Sequence, residues 1–182
     1  MKPALIFIIS TFAQLFLLVM LLRFWLPWLR ADFRNPIAQG ILRITSPLVI
    51  PVRRIIPPIG RLDTATVVVA FAIQYLTVLI ILTLSAVTPT IGPVALTSLI
   101  DLVLLSLRLF TFAIFIYIIL SWIAPGTHNP ATAFISMLVE PVMRPFRRVI
   151  PPIGGLDISP IFAIIALQAA AIFLSTLRPF PI

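Results

Sequence analysis

The stretch that decides the fold is VRRIIPPIGRLD, Val52–Asp63, because it returns 94 residues later as FRRVIPPIGGLD, Phe146–Asp157. Pro57 and Pro58 cannot continue a helix and favour an extended turn, and Gly60 allows a positive φ angle. Each copy therefore predicts the end of a basic helix, then a turn, and then the start of the next helix. A second copy without a gap predicts an internal repeat.

The composition is that of a membrane protein. Hydrophobic residues make up 61% of the chain, charged residues 10%, and the mean hydropathy is +1.20, whereas soluble domains have about 45–50% apolar and about 25% charged residues. A helix needs about 20 apolar residues to cross the hydrocarbon core. Four stretches reach this length: Ala4–Leu26, Thr64–Ala86, Leu99–Ile123 and Ile158–Leu177. We expect the first to be retained, because no A-x-A-like cleavage site follows it.

The repeat extends over the spans and predicts the architecture. Other pairs at the same spacing are Asn35 and Asn129, Trp28 and Trp122, and Gln74 and Gln168. The expected units are residues 1–94, with a connector over 30–63, and residues 95–182, with a connector over 124–157. Each unit has two spans, so both insert the same way up. The sequence thus predicts an all-α integral membrane protein with four transmembrane helices in two tandem parallel repeats, each connector carrying an amphipathic interfacial helix.

Basic residues predict the orientation. The net charge is +8, with six arginines in the first connector, three in the second and none in the loop VTPTIGPVA between the repeats. Because long apolar runs interrupt the arginines, nucleic-acid binding is not expected. The positive-inside rule puts both connectors in the cytoplasm and both termini outside, with anionic lipids as the expected partners of the basic face.

Each connector has the features of a helix that lies in the membrane interface. Asn35 and Asn129 are expected N-caps, because each precedes a proline at the first helical position. We expect Pro47 and Pro51 to kink or divide the first connector helix. A shallow re-entrant path remains an alternative. The expected apolar stripe of this helix consists of Ile37, Ile41, Ile44 and Leu48.

The charged residues of the repeated segment have two interpretations each. Asp63 and Asp157 are expected to cap the following spans, and the alternative is that they meet across the pseudo-axis and bind a cation or proton. The paired arginines are expected to anchor the connectors at anionic lipid or to bind partners, and the alternative is a phosphate site for a headgroup or nucleotide. These arginines are Arg53, Arg54, Arg147 and Arg148.

The sequence offers no catalytic, cofactor or metal constellation. There is no cysteine, and His128, the single histidine, is expected in a solvated loop. We therefore predict no catalytic residue, cofactor or metal, and no enzymatic activity. The remaining candidates are polar residues in the spans, which are expected to bridge helices, with a conduction path as the alternative. They are Gln14, Gln74, Asp101, Arg108 and Gln168.

The segments Asn35–Asp63 and Asn129–Pro160 resemble the two signature segments of the YGGT family of small bacterial integral membrane proteins, which has relatives in chloroplasts. The resemblance implies a non-enzymatic, multi-pass protein of the bacterial inner membrane that is linked to osmotic or envelope stress or to cell division. Together with the basic connectors, it favours a scaffold or assembly factor that engages anionic lipid, membrane-protein partners or further copies of itself. The alternative is a small oligomeric channel or transporter.

Overall fold

Six helices make up the computed structural model, which describes residues 2–29, 31–123, 126, 129–150 and 157–180. His128 and the second Pro-Pro-x-Gly segment, within 151–156, lie outside the described residues. In chain order the helices are α1 (Lys2–Trp25), α2 (Pro36–Ile55), α3 (Thr64–Leu84), α4 (Ile91–Ile123), α5 (Pro130–Val149) and α6 (Ser159–Thr176).

Four of these helices, α1, α3, α4 and α6, are long and apolar enough to cross a membrane. They coincide with the four predicted spans except at the start of α4, which begins at Ile91 rather than at Leu99. The predicted third span left out residues 91–98, which include Pro93. However, Pro93 lies in the first turn of α4, where an amide proton would have no acceptor within the helix.

The helices are arranged as the predicted pair of parallel repeats. Within the first repeat α1 packs on α3, and within the second the equivalent α4 packs on α6. The connector helices α2 and α5 pack on the spans of their own repeats. Between the repeats α3 packs on α4, and the equivalent pairs α1 with α4 and α2 with α5 are in direct contact. Contacts between equivalent helices are what a pseudo-twofold axis between two similar units produces.

Equivalent clusters of buried side chains hold each repeat together. In the first, Leu17 and Met20 of α1 pack with Val49 of α2. In the second, Ile114 of α4 packs with Met143 of α5. A membrane gives apolar helices no hydrophobic driving force to associate, so close packing has to stabilise these contacts. Ala65 in the first cluster and Ala163 in the second are fully buried, and such small side chains allow a close approach of helices.

The buried face of α2 differs from the expected stripe. Ala38, Ile41, Thr45 and Val49 are buried against the bundle, whereas Ile44 and Leu48 are exposed. The apolar sector is therefore wider than the contact with the bundle, and one edge of it remains uncovered. The expected stripe omitted Thr45 because it was chosen by hydrophobicity, and Thr45 is buried through a hydrogen bond.

Pro47 and Pro51 do not divide α2, which runs without a break from Pro36 to Ile55. Both prolines lie on the exposed side of the helix. The carbonyl groups that lose an amide partner there can bind water or lipid headgroups, so the missing bonds are not trapped in the core.

The turn after α2 has the predicted conformation. Gly60 has a φ angle of 61°, which glycine adopts without strain. Ile59 and Leu62 exchange two backbone hydrogen bonds of 3.1 and 3.0 Å across it. The turn brings Asp63 to the start of α3, beside the end of α2.

Candidate functional site

Asparagine caps start both connector helices and also join them. The Asn35 side chain accepts a hydrogen bond of 2.9 Å from the Ile37 amide, and Asn129 accepts bonds of 2.9 and 2.8 Å from the Ala131 and Thr132 amides. In addition, the Asn35 amide group donates to the Pro130 carbonyl over 2.8 Å. The bond from Asn35 to Pro130 fixes the start of α2 against the start of α5.

Asp63 is the N-cap of α3 and the centre of a buried charge cluster. Its carboxylate accepts hydrogen bonds from the Thr66 hydroxyl at 2.6 Å and the Thr66 amide at 3.4 Å. It also forms an ion pair with Arg53 of α2 and lies 3.6 Å from the Arg23 Nε atom. Burial alone would raise the pKa of Asp63, but the hydrogen bonds from Thr66 and Arg53 outweigh it and hold the pKa below its ordinary value.

Arg23 was not among the residues singled out in the sequence, yet it is only 3% exposed. Its Nη1 atom donates to the Thr45 hydroxyl at 2.8 Å and the Ser46 hydroxyl at 3.1 Å, so it joins the end of α1 to the middle of α2. The sequence does contain an indication of this contact. Arg23 lies near the end of a span, and the connector helix of the same repeat carries hydroxyl side chains that could bind it.

The second repeat builds a related but more exposed cluster around Arg147. Arg147 donates to Asp157 at 2.9 Å, to Glu140 at 2.7 Å and to the Tyr117 hydroxyl at 3.1 Å. Tyr117 and Glu140 occupy the positions equivalent to Arg23 and Ser46. Although burial lowers the pKa of Arg147, its bonds to Asp157 and Tyr117 raise it above the ordinary value overall. The pKa of Asp157 is lowered, because hydrogen bonds from Arg147 and Ser159 exceed the opposing effect of burial.

The prediction that Asp157 caps α6 is wrong in detail. The N-cap residue is Ile158, which has no side-chain cap bond, and Asp157 accepts instead from the Ser159 amide at 3.0 Å. The physical reason is Pro160, which stands where the first repeat has Thr66 and has no amide proton or hydroxyl to donate. Asp157 therefore cannot repeat the cap that Asp63 makes.

The two aspartates of the alternative shared cation or proton site bind different arginines. Asp63 and Asp157 each pair with the arginine of their own connector, Arg53 and Arg147. We call these two contacts the connector ion pairs. Each carboxylate is thus neutralised within its own repeat.

The connector ion pairs separate the four paired arginines into two kinds. Arg53 and Arg147 hold the connector helices to the following spans. Arg54 and Arg148 are exposed and make no hydrogen bond or ion pair with the part of the chain that the structure describes. Only Arg54 and Arg148 of the four therefore have a full charge available to a ligand.

At the other end of the bundle, four of the five intramembrane polar residues share a cavity of about 330 Å³, together with Arg178. We call this the polar cavity. Gln74 donates to the Asp101 carboxylate at 2.9 Å, and Asp101 forms an ion pair with Arg178. Gln14 and Arg108 also line the cavity, whereas Gln168 is exposed on α6 and does not. Arg178 was not identified as a site residue from the sequence, although an isolated charge just beyond the last span could have indicated it.

Among the described residues, no three acidic or histidine side chains come close enough together to hold a metal ion. The charged groups instead form the cluster around Asp63, the related cluster around Arg147, and the polar cavity. Their arrangement supports binding and helix positioning.

Four apolar helices in two tandem repeats, joined by basic connector helices that carry paired arginines, define a class of small multi-pass membrane proteins with an internal repeat. The family model described as CCB3/YggT matches residues 3–84 and again residues 95–178. The chain belongs to this family. The two matches divide the chain between α3 and α4.

Relatives in several bacteria match almost the whole chain. An uncharacterized protein of Pseudomonas aeruginosa is 45% identical over 92% of this chain and 86% of its own length. A protein of Vibrio alginolyticus is 39% identical over 90% of this chain and 89% of its own length. The protein named YggT of Escherichia coli is 33% identical over 88% of this chain and 84% of its own length. No solved structure matches the chain.

Proposed function

We propose that the protein is a non-enzymatic scaffold or assembly factor of the bacterial inner membrane, which engages anionic lipid or membrane-protein partners through its connector helices. The observation that supports this is the pair α2 and α5, which are in contact and end in exposed Arg54 and Arg148. The family resemblance supports a role in osmotic or envelope stress or in cell division.

The ends of the two connector helices combine charge with uncovered apolar surface. Next to Arg54 lies Ile55, which is 82% exposed, and next to Arg148 lies the equivalent Val149, which is 81% exposed. An aliphatic side chain beside a cation is suited to the boundary between headgroups and acyl chains. We call Arg54, Ile55, Arg148 and Val149 the connector platform.

The connector ion pairs fix the position of this platform. Arg53 precedes Arg54 directly and is bound to Asp63 at the start of α3, and Arg147 is bound likewise to Asp157. A cation on a helix that is tied to two spans has less freedom to lose on binding than one on a loose loop. This favours a scaffold that holds its partners in a fixed geometry.

The test is a pair of double variants in cells that lack the native gene. Arg54→Gln with Arg148→Gln should abolish the stress-tolerance phenotype while membrane insertion and protein level stay unchanged, because these side chains make no bond within the described chain. Arg54→Lys with Arg148→Lys, which keeps the charge, should retain most of the phenotype. An unchanged phenotype in the glutamine variant contradicts the proposal.

A photo-crosslinker at Ile55 would identify what the platform touches. The side chain is almost fully exposed, so the label should not disturb the fold. Anionic lipid or a reproducible protein partner is the expected product. Labelled protein that inserts normally and yields neither product would contradict a binding role for the connector platform.

A small oligomeric channel or transporter is the second candidate, and the polar cavity is the observation that favours it. Charged and amide side chains inside a membrane face a pathway or a site more often than lipid. Four spans are few for a pathway, so a second copy would be required. Flux of ions or small solutes across proteoliposomes that disappears in Arg108→Gln is the result that supports a channel, and no flux under an osmotic gradient rules it out.

A further inference from the structure

The described residues that line the polar cavity include two cations, Arg108 and Arg178, and one anion, Asp101. Asp101 is bound to Arg178 and Gln74. Arg108 lines the same cavity but makes no hydrogen bond or ion pair with any residue that the structure describes. A guanidinium group within a membrane span requires a counter-charge or water. The cavity is therefore suited to a ligand with a single negative charge.

Gln14 adds a second donor at the same level. It occupies the position in α1 that is equivalent to Arg108 in α4, and it lines the cavity with Arg108. Its amide also has no hydrogen-bond partner within the described chain. The forked guanidinium of arginine matches the spacing of oxygens in phosphate and carboxylate groups. Together these side chains favour an oxyanion over a halide.

An apolar groove of about 380 Å³ continues from the polar cavity, and Arg108 lines both. On α1 the lining residues after Gln14 are Leu18 and Leu22, and on α4 those after Arg108 include Phe112 and Ile116. These follow at steps of four residues, so they lie on one face of each helix. The polar cavity opens near the chain termini, and the groove leads from it towards the connectors.

The geometry points to a phospholipid-binding site in which the phosphodiester lies at Arg108 and Gln14 and one acyl chain lies in the groove. A phosphodiester carries one negative charge, which matches the excess of one cation among the described lining residues. The polar part is within the usual size of small-molecule sites, about 300–1,000 Å³. The lipid would come from the leaflet on the side of the termini. This site lies away from the connector platform and does not depend on the proposed function.

The test uses full-length, delipidated protein in detergent micelles, titrated with dioleoylphosphatidylglycerol and read by native mass spectrometry. We expect one lipid per chain bound well above the rest and at least ten-fold weaker binding in Arg108→Gln. Binding should be unchanged in the matched control Arg61→Gln, because Arg61 is exposed and lies outside the polar cavity, the groove and the connector platform. Dioleoylglycerol, which has both chains and no phosphate, should not compete. A thermal melt of each variant checks that it folds.

A second variant covers the case in which Arg108→Gln is unstable, and a second anion distinguishes a lipid site from a site for free phosphate. Ile116→Trp should fill the groove and weaken lipid binding even if Arg108→Gln proves too unstable to measure. Equal affinity for phosphatidylglycerol in wild type and in these variants overturns the site. Inorganic phosphate that raises the melting temperature only when Arg108 is present, with no preferred lipid bound, also overturns the lipid assignment, because it leaves a site for free phosphate.

Discussion

Equivalent residues in the two repeats achieve the same packing with different charges. Arg23 is a buried cation that binds Thr45 and approaches Asp63, whereas Tyr117, at the equivalent position, is neutral and accepts a bond from Arg147. The first cluster contains two cations and one anion. The second, with Glu140 in addition, contains one cation and two anions. The two repeats thus differ in how they balance charge.

The difference in burial predicts different effects of the two aspartates on stability. Asp63→Asn removes the negative charge that balances Arg23 and Arg53. The Arg23 side chain is only 3% exposed, so water cannot take the place of that charge. Breaking a buried pair in this way costs about 3–5 kcal/mol. Asp157→Asn breaks a pair whose side chains are 29% and 39% exposed, so we expect about 0–1 kcal/mol.

The measurement is the free energy of unfolding of both variants in the same detergent. Arg23→Met combined with Asp63→Asn is the control, because it removes the stranded cation and should recover part of the loss. Equal destabilisation by Asp63→Asn and Asp157→Asn would contradict the assignment of the buried cluster to the first repeat.

The lowered pKa of Asp63 also predicts how stability depends on pH. A carboxylate whose pKa is lower in the folded protein stabilises it above the unfolded pKa of about 3.9, and this contribution is lost as the pH falls through the folded pKa. The melting temperature should therefore be nearly constant between about pH 7 and 5 and fall below about pH 4. Asp157 contributes in the same direction.

The comparison is a melting curve at each pH for wild type and for the double variant Asp63→Asn with Asp157→Asn. The double variant should start lower at pH 7 and lose less stability on acidification, since neither position can then take up a proton. A fall as steep as that of the wild type would mean that other groups control the acid transition.

At the scale of the helix, the sequence predicted what local chemistry controls. The asparagine caps, the four spans and the turn at Gly60 all follow from residues next to each other in the chain. The start of α4 was not predicted correctly, because a proline such as Pro93 is tolerated in the first turn of a helix. The buried face of α2 did not follow either, because Thr45 is buried by Arg23 of another helix, and hydrophobic periodicity carries no information about such a partner.

The same limit applies to the candidate sites. The sequence identified Gln74, Asp101 and Arg108 as polar residues in the spans, but their common cavity depends on how α3 packs on α4. Arg178 joins them only because α6 ends beside α4. For the paired arginines, the sequence could not distinguish Arg53, which is bound to Asp63, from its neighbour Arg54, which binds no residue that the structure describes. Both the polar cavity and the difference between the paired arginines depend on which helices lie next to each other, and the sequence alone does not show this.

Across the whole molecule, the two polar regions lie at opposite ends of the bundle. Along α1, Gln14 lines the polar cavity and Arg23 reaches the connector helix, a separation of nine residues or about 14 Å of helix. The apolar groove beside Leu18 and Leu22 lies between these levels. The connector platform and the polar cavity would therefore meet opposite leaflets, so one can be altered without the other.

Orientation decides which leaflet each region meets, and the arginines predict it. Both connectors are basic, whereas the ends of the chain offer only Lys2 and Arg178. The positive-inside rule then gives cytoplasmic connectors and external termini. Alkaline phosphatase fused after Ile182 should be active, because it folds only outside the cytoplasm, and a truncated fusion after Gly60 should be inactive. Green fluorescent protein at the same two sites is the control and should give the reverse pattern.

An active phosphatase after Gly60 would place the connectors outside. The connector platform would then face a leaflet without the anionic surface potential that attracts arginine, and the proposed scaffold role would fail. The phospholipid site would survive this result, because it rests on Arg108 and the adjoining groove and is defined relative to the termini. It would then take its lipid from the cytoplasmic leaflet, so the topology experiment separates the two proposals.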